Sequence, residues 1–293
     1  MRVKQFAAAA AIAVMALGLG ACADSDESDN SGDTSKPSFA AGSTMERLNK
    51  AQKIVVGTKF DQPLFGLKGL DGKPAGFDVE IAKLIAAELG IPADKIEYKE
   101  STSAVREQVL EQGTVDMVVA TYTINDKRKE RVDFAGPYYV AGQQIMVRSD
   151  DSAITGPDAF KAGGKKVCSV TGSTPATNIK KYLKDEGSQL VLFADYQKCA
   201  DALKQKIVDA VTTDNVILSG FVSKSEGAFK LVGTKFTEEP YGIGVKKGDA
   251  AFRAFVNDTL EKIAKNGGYA KAWKDTVGKV DPTVPTPPAV NRY

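Results

Sequence analysis

The chain contains no histidine. That removes His-based triads, imidazole acid–base chemistry and His metal sites together, and neither a metal nor a cofactor is expected. Cysteine is scarce: Cys22, Cys168 and Cys199 are the three present. Excess charge is also missing. The formal net charge is +2, and Arg2 and Lys4 at the extreme N-terminus account for it. The remainder is neutral and lacks the basic footprint of a nucleic-acid binder, so no nucleic-acid partner is expected. The apolar run Phe6 to Leu19 is too short and too Ala-rich for a membrane-spanning helix.

That run has a different use. Arg2 and Lys4 precede it and Leu19-Gly20-Ala21-Cys22 ends it, so residues 1–21 read as an export signal. A cysteine directly after Leu-Gly-Ala resembles the lipobox of bacterial lipoproteins. The resemblance implies cleavage before Cys22, diacylglycerol on its sulfur, and an extracytoplasmic protein lipid-anchored to the outer face of the cell membrane. The alternative is an ordinary secretory signal with a chance cysteine. Residues 22–44 are rich in Asp, Ser, Gly and Asn and read as a flexible tether. Residues 281–293 carry Pro282, Pro285, Pro287 and Pro288 and read as an extended or disordered tail. In an exported chain, Cys168 and Cys199 are expected to pair, which would stabilise by about 3–4 kcal/mol in the chain-entropy model; two reduced, buried thiols are the alternative.

Between tether and tail, strand and helix patterns alternate, which implies an α/β fold of parallel sheet covered by helices. Ile54 to Gly57, Ile96 to Lys99 and Asp116 to Ala120 read as strands. Asp78 to Leu89 and Ala104 to Gln112 read as helices, stopped by Gly90 and Gly113, with Ser103 opening the second. The pattern restarts with strands at Lys166 to Val170, Leu190 to Phe193 and Ala210 to Thr213, with helices after Thr174-Pro175 and over Tyr196 to Lys206. A final strand, Ile243 to Val245, and a long helix lined by Phe252, Phe255, Val256, Leu260 and Ile263 follow. This implies two similar lobes and two crossings, near Tyr138 to Gln144 and Phe236 to Tyr241. The expected lobes are 45–139 with a return over 239–280, and 140–238.

In α/β lobes, ligands gather at the carboxyl ends of strands. There the sequence places Lys59, Ser103 with Arg106 one turn on, Thr121, Thr123 and Arg128, then Gly172-Ser173-Thr174 and Asp214. This set suits a small zwitterion. Arg128 can fork a carboxylate, the turn before Thr174 offers backbone N–H groups, and Asp214 with Thr123 and the Ala120 carbonyl suits an ammonium. Lys59 and Arg106 are then left without an evident internal partner, which suggests a second carboxylate on the ligand. Blander readings stay open here: Arg128 in a solvated charged run, Arg106 paired with Glu107 or Glu111, Lys59 as a loop lysine, Asp214 as a helix cap.

Gly76 to Ala82, Asp116 to Asn125 with Arg128, Val132 to Phe134, Gly136 to Tyr139, Gly172 to Thr174 and Asp209 to Asp214 together resemble solute-binding proteins for polar amino acids in ABC importers. The resemblance runs from about Ile54 to Val277. It implies the type II periplasmic-binding fold, closure of two lobes on the ligand, and ABC permease and ATPase subunits as partners of a monomer. Carried over, Arg128 and the Thr174 amide take the α-carboxylate, while Thr123, Ala120 and Asp214 take the α-amino group. Gly57 to Pro63, with Cys168 and Cys199, looks like the glutamate-binding lipoproteins of actinobacteria, so glutamate is expected first and aspartate second. Ser103 stands where some relatives carry an aromatic residue, which implies a more polar pocket. Two rivals share the fold: a dehydratase of cyclohexadienyl acids, which would need a free acid at Asp61 or Asp214, and an amino-acid sensor subunit.

Overall fold

The computed structural model describes residues 37–293. The expected signal 1–21, Cys22 and the tether up to residue 36 lie outside the described residues. Residues 37–44, assigned above to the tether, belong to the fold. Phe39, a large apolar side chain in that polar stretch, packs edge-on against Phe255 with ring centroids 5.7 Å apart. Ser43 caps the first helix by accepting from the Glu46 N–H at 3.1 Å.

The strands are β1 (Ile54–Thr58), β2 (Asp61–Gln62), β3 (Gly66–Lys68), β4 (Pro74–Ala75), β5 (Ile96–Glu100), β6 (Met117–Thr123), β7 (Val132–Ala141), β8 (Gln143–Arg148), β9 (Val167–Val170), β10 (Leu190–Phe193), β11 (Ala210–Asp214), β12 (Phe229–Val232) and β13 (Glu239–Lys246). The helices are α1 (Thr44–Ala51), α2 (Phe77–Glu88), α3 (Arg106–Glu111), α4 (Asp126–Lys129), α5 (Thr174–Asn178), α6 (Glu186–Gln189), α7 (Tyr196–Lys204), α8 (Asn215–Lys224), α9 (Ala250–Lys265) and α10 (Gly268–Asp275).

Two five-stranded sheets, β5-β1-β6-β13-β7 and β10-β9-β11-β8-β12, form the centres of two lobes, and a small sheet β2-β3-β4 flanks the first. The expected parallel pairing is present in both sheets, β5-β1-β6 and β10-β9-β11, and each sheet adds one antiparallel strand. β13 runs antiparallel to β6 and β7, and β8 antiparallel to β11 and β12. The reason is the connectivity. β8 and β13 each enter their lobe directly from a crossing, so they start where their neighbours end. The crossings run side by side, with Glu239 paired to Ala141 and the Gln143 N–H donating to Thr237 Oγ1 at 3.0 Å.

Local sequence explains the elements that hold the site. Gly76 has φ 139°, and a Cβ there would lie 2.3 Å from the Phe65 carbonyl, so only glycine lets α2 start against the β2–β3 turn. Phe77, Ile81 and Ile85 then face the lobe-one core with Trp273 and Tyr269. α3 begins at Arg106, two residues later than the pattern suggested, because residues 102–105 form a turn closed by Val105 N–H to Thr102 O. Ser103 therefore caps no helix. In lobe two, the disulfide Cys168–Cys199 joins β9 to α7 across a sequence separation of 31 residues, inside a core of Met146, Leu203, Val211 and Phe221.

The proline-rich tail has no regular structure but is seated on lobe one. Val284 and Val290 pack on its core, the Asn291 N–H donates to Gly136 O at 2.8 Å, and the Phe134 N–H donates to the Tyr293 hydroxyl at 2.8 Å.

Candidate functional site

The carboxyl ends of β1, β5 and β6 face those of β9 and β11, and the lobes touch around the space between them. That space is a nearly filled inner cavity of about 10 Å³, lying beside a larger crevice of about 620 Å³. Ser103, Arg106, Thr121, Thr123, Ser173, Thr174 and Asp214 line it; Arg128 lines the crevice. Lys59 and Ala120 stand behind this lining.

At one end, Asp214 Oδ2 accepts from the Tyr241 hydroxyl at 2.6 Å, while Oδ1 is buried without a partner. Burial, then the charge of Glu239, pushes the Asp214 carboxyl up to about 7. Thr123 Oγ1 lies 3.3 Å from Thr174 Oγ1, which donates to Glu239 Oε2 at 2.7 Å. The unpartnered carboxylate oxygen beside a hydroxyl is an acceptor site for a cation. The Ala120 carbonyl does not join it. It lies outside the cavity lining and accepts from Arg106 Nη1 at 2.9 Å, because Thr121 adopts φ 44° and turns the end of β6 toward Arg106.

Arg128 is not a solvated charge. Nη1 donates to Thr123 O at 2.6 Å, Nη2 to Gly172 O in the other lobe at 3.1 Å, and Nε lies 3.2 Å from Glu107 Oε1. Burial, then repulsion from Arg106, lowers it to about 10. Three of its five N–H donors are engaged, which leaves two for an anion. At the neighbouring turn, the Ser173 N–H is spent on Val170 O and the Ser173 hydroxyl caps Ala176 N–H. The Thr174 N–H is the first of α5 and has no intrahelical acceptor.

Behind the cavity on lobe one stands the cationic pair. Lys59 is 2% exposed and donates to Ser103 Oγ at 2.9 Å. Ser103 Oγ accepts that bond, so its own proton is free to donate into the cavity. Burial, then Arg106, pulls the Lys59 ammonium down to about 7 against the opposing charge of Asp61. Arg106 is better served than the sequence suggested: Nη1 reaches two carbonyls and its guanidinium stacks over the Tyr122 ring at 4.2 Å, but Nε is buried without a partner. Gln62 Oε1 accepts from Thr121 Oγ1 at 3.0 Å, leaving the Gln62 Nε2 buried and unpartnered at the cavity wall.

The supports were not evident from sequence. Asp78 Oδ2 accepts from Thr121 N–H at 2.8 Å and Oδ1 from Tyr138 hydroxyl at 2.6 Å, holding Thr121 in its turned conformation. Burial raises the Asp78 carboxyl to about 7 against both hydrogen bonds. Gln62, Tyr196 and Thr213 at the cavity, Tyr241 behind Asp214, and Glu107 and Glu239 at the crevice were likewise not among the expected site residues. Only Asp78 carried a signal, as an acid at the start of an otherwise apolar helix.

Known proteins resemble this chain in sequence and fold. Residues 54–278 match the family described as bacterial extracellular solute-binding proteins, family 3. The chain is 40% identical over 235 residues to the glutamate-binding protein GluB of Corynebacterium glutamicum, covering 77% of this chain and 79% of that protein. It is 39% identical over 240 residues to the ABC transporter glutamine-binding protein GlnH of Bacillus subtilis, covering 82% and 86%. Among solved structures, an ancestral arginine-binding protein bound to glutamine has 36% identity and a TM-score of 0.71, covering 78% of this chain and 98% of that one. An ancestral amino acid-binding protein that is a precursor of cyclohexadienyl dehydratase has 30% identity and a TM-score of 0.73, covering 80% and 99%. With the match running from β1 through α10, this chain belongs to the bacterial extracellular solute-binding proteins of family 3.

Proposed function

We propose that the protein captures an acidic amino acid, glutamate ahead of aspartate, between its lobes and delivers it to an ABC permease and its ATPase. In this reading Asp214 and Thr123 hold the α-amino group, Arg128 and the Thr174 N–H hold the α-carboxylate, and the lobe-one wall reads the side chain. The carrying observation is the polarity of that wall. Ser103, with its oxygen turned to Lys59, and Gln62, with its oxygen turned to Thr121, both present donors, and Arg106 Nε adds a third. A carboxylate is acceptor-only and satisfies such a wall, whereas the NH₂ of a glutamine amide meets donors with donors. The relatives named for glutamate and for glutamine support the amino-acid class.

We further read the chain as a monomeric lipoprotein held on the outer membrane face through Cys22, on the strength of the Leu19-Gly20-Ala21-Cys22 run. A dehydratase is a weaker reading. The named relatives are binding proteins, and of the two acids at the strand ends Asp61 is engaged with the Tyr196 N–H, while Asp214 keeps one oxygen that the binding reading gives to the α-amino group. Calorimetric titration with glutamate, aspartate, glutamine and asparagine tests the proposal. Glutamate should bind tightest, and preferred binding of either amide would overturn the acidic assignment.

A further inference from the structure

Asp61 is the strand-end acid that the proposed binding scheme does not use. It sits half-buried on β2 of lobe one, and its Oδ2 accepts from the Tyr196 N–H of lobe two at 2.7 Å. Tyr196 opens α7. The first N–H groups of a helix have no intrahelical acceptor, and the helix dipole favours negative charge there. Asp195 supplies the ordinary cap by accepting from Lys198 N–H at 2.9 Å. Asp61 therefore serves a second orphan donor of α7, and it does so from the opposite lobe.

The surroundings make this a contact of the closed form. The residue two positions on, Pro63, abuts α8: a Cβ on Gly220 would lie 2.6 Å from Pro63 O. At the far side of the cleft, a Cβ on Gly172 would lie 2.8 Å from Ala104 Cα. Both glycines let the lobes meet at backbone distance. Asp61 is also next to the cavity, since Gln62 and Tyr196 both line it.

We propose that Asp61 is a clasp between the lobes: a positioning residue whose carboxylate completes the α7 N-terminus only on closure and thereby slows solute release. The proposal rests on the two-lobe binding reading but not on the choice of ligand. An interaction made in one state alone biases the equilibrium toward that state by its whole differential strength. It raises the lifetime of the closed complex without touching the solute.

Asp61 also faces Lys59, with Arg106, Arg128 and Glu100 as the other charges around that ammonium. Glutamine is therefore the probe, because its side chain carries no charge for Lys59 to read. Stopped-flow release of glutamine should quicken about three- to thirtyfold in Asp61→Ala, the scale of a partly exposed charge-assisted hydrogen bond. Asp61→Asn keeps an acceptor oxygen and should fall between Ala and wild type. Release within twofold of wild type in Asp61→Ala would overturn the clasp. A second arm needs no ligand: solution scattering of the free protein should give a larger radius of gyration for Asp61→Ala than for wild type. If wild type binds neither glutamine nor glutamate, the amino-acid reading fails and scattering alone decides the clasp, with an unchanged radius overturning it.

Discussion

The Tyr241 hydroxyl holds one oxygen of Asp214 at 2.6 Å and leaves the other buried without a partner. Tyr241 comes from β13 of lobe one and Asp214 from β11 of lobe two, so the acid is oriented by the returning segment of the opposite lobe. In the proposed binding scheme a ligand ammonium pairs with this oxygen. Asp214→Ala is expected to weaken glutamate and glutamine binding alike by about 2–5 kcal/mol, the cost of truncating one side of a buried charge pair. Equal calorimetric affinities for variant and wild type would remove the amino-group role.

Arg128 makes the matching prediction at the other charge of the zwitterion. Its remaining donors point to a carboxylate, so Arg128→Ala should cost about 2–5 kcal/mol for every amino acid bound. Arg128→Lys should recover only part of this, since an ammonium cannot span Thr123 O, Gly172 O and a ligand anion with a planar fork. An affinity for Arg128→Ala within threefold of wild type would contradict the assignment.

Lys59 and Asp214 give binding a pH signature whose signs can be worked out. Burial in the closed cleft lowers Lys59 to about 7, so above pH 7 the cleft closed without a ligand holds it largely neutral. A bound glutamate carboxylate favours the charged form and must draw a proton in. Preference for glutamate over glutamine should therefore be flat below pH 7 and fall between pH 7 and 9. Asp214, raised to about 7, must be ionised to hold either ligand, so both affinities should fall together as pH drops from 7 to 5. Titrations across this range in wild type and Lys59→Met test both slopes. The ratio should lose its pH dependence in Lys59→Met, and a ratio that still falls above pH 7 would show that another group reads the side chain.

Much of this was legible because apolar periodicity marks α2 and α9, and because hydroxyl, basic and acidic residues at successive strand ends mark a cleft. Strand direction was not legible. β8 and β13 carry the same apolar pattern whichever way they run, and only the crossings set it. Gln62 lies in a two-residue strand with no periodicity, and Glu239 lies at a crossing, so neither had a pattern to betray it. Arg106 was recognised as a cation, but carbonyl acceptors such as Ala120 O are invisible to side-chain sequence. The Thr121 turn depends on Asp78, 43 residues away, a pairing no local window contains.

The Cys168–Cys199 disulfide lies inside the core of lobe two, between β9 and α7, with both cysteines fully buried. Closing a loop with a separation of 31 residues stabilises by about 3–4 kcal/mol in the chain-entropy model. Cys168→Ala/Cys199→Ala should lower the thermal midpoint clearly while changing glutamate affinity less than threefold. Intact-mass measurement should find two fewer hydrogens in the native protein than in its reduced form. A larger effect on affinity than on stability would mean that the bond positions Tyr196 at the start of the same helix.

The tail offers a test of what holds lobe one together. Its prolines suggest a chain that will not fold back, yet two valines and a tyrosine tie it down. Val284 and Val290 bury against the core, the Trp273 Nε1–H donates to Asp281 O at 3.1 Å, and the N–H of Phe134 and the carbonyl of Gly136 on edge strand β7 are satisfied by the tail. Arg253 adds a hydrogen bond to the Tyr293 carbonyl and stacks over its ring at 4.2 Å, and Arg292 reaches Asp258 at 2.6 Å and Glu261 at 3.0 Å. The exposed ion pairs contribute little, about 0–1 kcal/mol each. Partial burial of two valines contributes about 1–2 kcal/mol apiece. Deleting residues 282–293 should therefore cost about 2–4 kcal/mol, which for a body of this size lowers the thermal midpoint by about 5–15 °C. It should also speed hydrogen exchange at Phe134, whose N–H loses its acceptor, while the β6 amides between β1 and β13 stay protected. A midpoint within 1 °C of the full chain, with Phe134 exchange unchanged, would show that the tail does not hold this position in solution.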